Sequence, residues 1–171
     1  FVLKKKILNI FTIYKMSSLT PKQLKQYEDE GYVSPIKVLS KNEAKEIREE
    51  IEIIEKKWPN ELDGLGRNYI HLISPVFDKV CHNLKILDAV ESIIGKNILI
   101  CGTTLFVKNP NEEGFVSFHQ DAKYIGLEPY NWVTAWVAIT DANEKNGCMK
   151  MWAGSHKEDL KYHNQKFDEN N

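Results

Sequence analysis

The hydrophobic pattern of this chain changes period once, at Gly95, and that switch limits the folds open to it. Before it, Ala44, Ile47, Ile51, Ile54 and Trp58 recur at the spacing of a helix with one buried face. After it, Asn97–Val107 is β-rich, and Trp132–Thr140 alternates from residue to residue. Trp132, Thr134, Trp136 and Ala138 fall on one face of that segment, and Val133, Ala135, Val137 and Ile139 on the other. Helices followed by strands argue an α+β chain rather than alternating βαβ units.

Local signals mark the element ends. Thr20-Pro-Lys-Gln23 is a capping box with proline at the first helical position, and its helix is expected to run to Glu30 and stop at Gly31. Ser40-Lys-Asn-Glu43 is a second capping box, opening the apolar stripe that Pro59 ends. Glu61–Ile73 reads as a loop. The spacing predicts helix again from Pro75 through Leu84, Leu87, Val90 and Ile94, with Gly95 as the stop. Asn146-Gly147 closes a turn after Thr140, and a short strand follows over Cys148–Trp152.

Length suits a single domain, and 42% hydrophobic with 27% charged residues describes an ordinary globular chain. A net charge of −1 gives no electrostatic reason to expect nucleic acid or an anionic membrane as partner. Cys81, Cys101 and Cys148 are odd in number and widely spaced, so reduced thiols in a cytoplasmic protein are expected. No apolar run reaches the roughly 18 residues of a membrane span. Phe1–Lys15 has the charge order of a signal peptide but lacks an initiating Met and a small-residue cleavage site. Met16 reads as the true start, which makes residues 1–16 a non-native or disordered leader.

Chemistry concentrates in Phe115-Val-Ser-Phe-His-Gln-Asp121. On a strand, His119 and Asp121 project to the same face, where one metal ion can touch both. His-x-Asp joined by a later His is the facial triad of non-haem Fe(II) oxygenases, which leaves the opposite face of the metal open. Taken alone, the pair is better read as a surface strand-end histidine and aspartate bonded to each other; the surrounding motifs reverse that preference.

Further motifs stand in order around that pair: Leu105-Phe-Val-Lys-Asn-Pro110, Gly114–Asp121, Val133–Ile139, Asn146-Gly-Cys-Met149 and Gly154-Ser-His156. Together they resemble the phytanoyl-CoA dioxygenase family of Fe(II)/2-oxoglutarate oxygenases, and the resemblance extends from about Leu19 onward. It implies N-terminal helices flanking a double-stranded β-helix, the cupin-like jelly roll, a fold that composition alone does not demand. It implies His119 and Asp121 as iron ligands, 2-oxoglutarate as co-substrate, and O₂ and a small organic molecule as the other reactants. A carboxylate at Asp121 favours hydroxylation over halogenation.

By position in the family motifs, Thr104 and Trp136 match residues that contact the co-substrate, though Trp136 also reads as plain core. Lys108 sits where the family has Lys before Pro, with a solvated strand-end lysine as the competing reading. Arg67 lies in a loosely aligned segment where a basic co-substrate contact is placed. His71 caps a loop or faces the site. Gln120 points away from the metal by strand alternation, Phe118 and Tyr124 read as aromatic core or pocket wall, and His156 as a turn-stabilising hydrogen bonder.

The family's second histidine and its co-substrate arginine belong well beyond Gly-Ser-His. His163 is in a polar stretch without strand pattern, so it is a poor third ligand. Residues 17–171 are accordingly expected to form the N-terminal portion of one dioxygenase domain, inactive by itself, with part of the roll missing. From a different class, the competing function is a non-catalytic jelly-roll module that binds a ligand or partner.

Overall fold

The computed structural model describes residues 18–62 and 67–163. The expected leader over residues 1–16 lies outside them. Helix α1, Pro21–Glu30, begins as its capping box dictates: Thr20 Oγ1 accepts from the Gln23 amide at 3.3 Å, and Gln23 Oε1 accepts from the Thr20 amide at 2.9 Å. These bonds satisfy donors that a helix start otherwise leaves unpaired. The helix stops at Gly31, whose φ of 83° is a left-handed conformation favoured by glycine.

Helix α2, Lys41–Lys57, repeats the device with Ser40 and Glu43, at 3.2 and 2.7 Å. Its stripe buries Ile47, Ile51 and Ile54. These three join Leu62, Ile70 and Phe77 in the hydrophobic core, with Leu39, Val76, Val80, Leu105 and Ile139 packed at its margin. Phe77 comes from α3, Pro75–Cys81, and Ile70 from a single 3-10 turn, Ile70–Leu72.

The helix expected from Pro75 to Ile94 is two helices. Asn83 breaks it, adopting an extended backbone (φ −64°, ψ 118°) while its side chain accepts from the amides of Lys85 and Ile86 at 2.9 and 3.4 Å. A short amide side chain competes with the backbone and so favours a cap over a helix interior. Helix α4, Leu84–Ile94, follows from it, and Gly95 ends it as expected.

Beyond Gly95 the expectation and the structure part. Among the described residues no strand ladder forms over 97–107, 115–121, 132–140 or 148–152. β-Pairing is reduced to an isolated antiparallel bridge between Asn68 and Thr104. The α+β expectation is therefore met in its helices, while the jelly-roll strands are not formed here. A strand exists only through a partner, and among the described residues the ladder bonds to these segments stop at the two beside that bridge, Tyr69 N–H to the Thr103 carbonyl and Leu105 N–H to the Arg67 carbonyl. The described part of this region contains helix α5, Ala122–Ile125, and two 3-10 turns, Glu144–Asn146 and Ser155–Lys157. No helix among the described residues is long and apolar enough to cross a membrane.

One tie runs back from this region to the first helix. His156 Nε2 donates to the Glu28 carbonyl at 3.0 Å, and the Gly154 amide donates to the Glu30 carbonyl at 2.9 Å. These donors satisfy carbonyls that the end of α1 leaves open. His156 is thus more than a local turn stabiliser: it joins residues 128 positions apart in sequence.

Candidate metal centre

His119 and Asp121 meet, but not through strand alternation. Asp121 has helical backbone angles (φ −54°, ψ −37°) and directly precedes α5, so the chain is already turning at the second residue of the pair. Nε2 of His119 lies 3.2 Å from Oδ1 of Asp121, with both side chains partly open to solvent. Nδ1 of the same ring lies 2.7 Å from the Ser117 carbonyl. A carbonyl can only accept, so Nδ1 carries a proton, and Nε2 is the ring nitrogen turned to the carboxylate. Two acceptors at that distance need a cation between or beside them, either a proton on Nε2 or a metal ion.

The donor set fits a metal. Two donors about 2.1 Å from one ion and at right angles to each other stand about 3.0 Å apart, close to the observed separation. Metal-ligating histidines generally donate their other ring N–H to a carbonyl or carboxylate, as Nδ1 does here to Ser117. Imidazole with carboxylate is a donor set suited to a first-row divalent ion such as Fe(II).

Asp121 has a second anchor. Oδ2 accepts from the Thr134 hydroxyl at 2.7 Å, and Thr134 Oγ1 lies 3.1 Å from the indole Nε1 of Trp132. The sequence placed Trp132 and Thr134 on one face with Trp136, but gave no signal that Thr134 reaches the carboxylate.

Tyr124 stands edge-on between two imidazoles, 5.8 Å from His119 and 5.7 Å from His163. His163 is near the pair yet not available to a metal. Its Nε2 accepts from the Gln120 amide at 2.8 Å, and its Nδ1 faces the Lys161 carbonyl at 2.8 Å. Gln120 Oε1 accepts from the Lys161 amide at 2.8 Å. No group of three or more His, Cys, Asp or Glu able to hold a metal occurs among the described residues.

The co-substrate candidates fall in separate places. Arg67 and Thr104 share one hydrogen-bonded unit: Leu105 donates to the Arg67 carbonyl at 3.0 Å, and Thr104 Oγ1 donates to Asn68 Oδ1 at 2.8 Å. Arg67 Nε donates to the Leu62 carbonyl at 3.0 Å. His71 joins the same unit through Thr103 Oγ1 at 2.8 Å. Lys108 lies elsewhere, its ammonium against Gly147, where an added Cβ would come within 2.7 Å of Nζ. Trp136 is exposed, as are Phe118 and Tyr124, so none of these aromatics is core.

Comparison with known proteins decides the family. The model of the phytanoyl-CoA dioxygenase family matches residues 27–171. The chain belongs to the phytanoyl-CoA dioxygenase family. Among curated relatives, a phytanoyl-CoA dioxygenase domain-containing protein 1 homolog from Caenorhabditis elegans is 30% identical over 98 residues, 57% of this chain and 34% of that protein. Its counterpart from Danio rerio is 32% identical over 92 residues, 53% of this chain and 32% of that protein. The Rattus norvegicus protein is 36% identical over 89 residues, covering 51% and 30% respectively. The matched part of the chain thus spans about a third of the length of these relatives. No solved structure matches it. Phytanoyl-CoA dioxygenase membership implies a jelly-roll fold.

Proposed function

We propose that this chain carries the His-x-Asp portion of an Fe(II)/2-oxoglutarate-dependent dioxygenase that hydroxylates a small organic substrate. The observation that carries the reading is the orientation of His119. Its Nδ1–H is committed to Ser117, which leaves Nε2 facing a carboxylate oxygen 3.2 Å away. Bound Fe(II) would supply O₂ activation, in which one oxygen atom enters a substrate C–H bond and the other enters the succinate formed as 2-oxoglutarate loses CO₂. His119 and Asp121 would hold and orient the cation, and Arg67 and Thr104, which share a hydrogen-bonded unit, are the co-substrate candidates that this arrangement keeps together, with Lys108 standing apart from them.

The described residues supply two metal donors, and the facial triad needs a further imidazole. A two-donor site holds a metal weakly. The 171-residue chain is therefore expected to bind Co(II), used as a stand-in for Fe(II), with low affinity and to release no CO₂ from 2-oxoglutarate. His119→Ala is expected to abolish the visible spectrum of bound Co(II). Unchanged Co(II) binding in that variant would overturn the metal role and favour a non-catalytic binding module. Iron-dependent CO₂ release by the 171-residue chain would instead overturn the two-donor account.

A further inference from the structure

The two carboxylate oxygens of Asp121 have different partners. Oδ1 stands 3.2 Å from Nε2, while Oδ2 is taken by the Thr134 hydroxyl at 2.7 Å. The direction of the bonds behind it follows from the donor inventory. An indole N–H can only donate, so Trp132 Nε1 gives its proton to Thr134 Oγ1, 3.1 Å away. A hydroxyl has one proton of its own, and with its oxygen accepting from Trp132 that proton points at Asp121. The Trp132–Thr134–Asp121 chain therefore runs one way, with each group oriented by the one behind it.

We infer that Thr134, itself oriented by Trp132, is a positioning residue that fixes Asp121 as a one-oxygen ligand, reserving Oδ1 for the metal. The inference rests on the reading of His119 and Asp121 as metal donors. It gives the pair symmetrical support. The Ser117 carbonyl sets the tautomer of the imidazole, and the Thr134 hydroxyl sets the rotation of the carboxylate. Neither supporting group touches the metal. Both side chains of the pair are partly open to water, so no packed wall would otherwise hold the carboxylate in one orientation. Hydrogen bonds to ligands from such outer groups typically change metal affinity by about 10–100-fold when removed.

Co(II) titrations of the 171-residue chain test this, with the visible spectrum of the bound ion as the readout. Thr134→Val keeps the shape of the side chain and removes the hydroxyl. It is expected to weaken Co(II) binding by about 10–100-fold and to shift the visible bands as the freed Oδ2 also reaches the ion. Thr134→Ser restores the hydroxyl and is expected to restore both affinity and spectrum. Trp132→Phe removes the indole N–H together with the pyrrole ring that carries it, and is expected to weaken binding less than Thr134→Val does. Far-ultraviolet circular dichroism checks that the helices of each variant are retained; if Thr134→Val loses them, the serine and phenylalanine variants carry the test. A valine variant with the parent's affinity and spectrum, or a phenylalanine variant weaker than the valine one, overturns the inference while leaving the His119 result intact. A parent chain that takes no Co(II) overturns the metal reading and this inference with it.

Discussion

Two regions of this molecule obey different rules. From Leu19 to Ala89 the chain builds a conventional interior: every buried residue among those described lies there. After Ala89 none is buried, although the second region is the richer in aromatics. Phe106, Phe118, Tyr130 and Trp152 are each more than half exposed, at 62%, 68%, 59% and 68%. The difference is not one of hydrophobicity but of where hydrogen-bond partners come from. A helix closes its backbone bonds within its own segment, so α1, α2 and α4 form as soon as their caps and stripes are in place. An alternating segment has no internal bonds to close and depends on a neighbour for its ladder. The site belongs to the dependent region, where His119 is held by the nearby Ser117 carbonyl and Asp121 by the more distant Thr134 hydroxyl rather than by a packed scaffold.

Core substitutions should separate the two regions most sharply. Ile51→Ala, in the α2 stripe, is expected to cost about 2–5 kcal/mol, read as a lower urea midpoint followed through helical ellipticity. Phe118→Ala, at an exposed position, is expected to stay within about 0.5 kcal/mol of the parent. Equal losses in the two variants would erase the distinction between a packed and an unpacked region.

Gly31 lies at the seam between them. Its φ of 83° already disfavours a side chain, and a Cβ there would stand 2.5 Å from Nδ1 of His156. Gly31→Ala is expected to destabilise by about 1–3 kcal/mol through backbone strain and this clash. Adding His156→Ala should recover the part due to the clash and none due to the backbone. Full recovery, measured by thermal melting of the single and double variants, would show that contact with the second region is the whole cost. No recovery would show that the seam carries none of it.

The smallest effect belongs to the helical region alone. Glu43 is held below the usual carboxylate range, first by the Ser40 backbone N–H and then by the Ser40 side chain. A carboxylate with a lowered folded value stabilises above its unfolded value and loses that contribution as pH falls through the folded one. Helix α2 should therefore weaken slightly with acid, just below the ordinary glutamate range. Glu43→Gln, which caps without charge, should flatten that part of the pH profile of the urea midpoint. An unchanged slope would assign the acid sensitivity elsewhere.

Much of the helical region was legible beforehand because its signals are local. Both capping boxes, the Ile47–Ile51–Ile54 face and the stops at Gly31 and Gly95 stand where spacing and cap chemistry put them. The break at Asn83 was missed because a helical apolar spacing runs through it, and the cap prevailed over the period. At the site, the sequence brought out His119 and Asp121 but gave the wrong reason for their proximity, since Asp121 is already helical. Arg67 and Thr104 share a hydrogen-bonded unit, which neither motif alone could show.

The sequence by itself determined the family and the helix boundaries set by caps, and it singled out the His119–Asp121 pair, because each depends on residues near one another along the chain. Only the tertiary structure decided that Thr134 anchors Asp121, that His163 is spent on the Gln120 amide, and that His156 ties back to the end of α1. Those are contacts between segments distant in sequence, where a hydrogen bond depends on two groups converging in space, and no local pattern records which pair will meet.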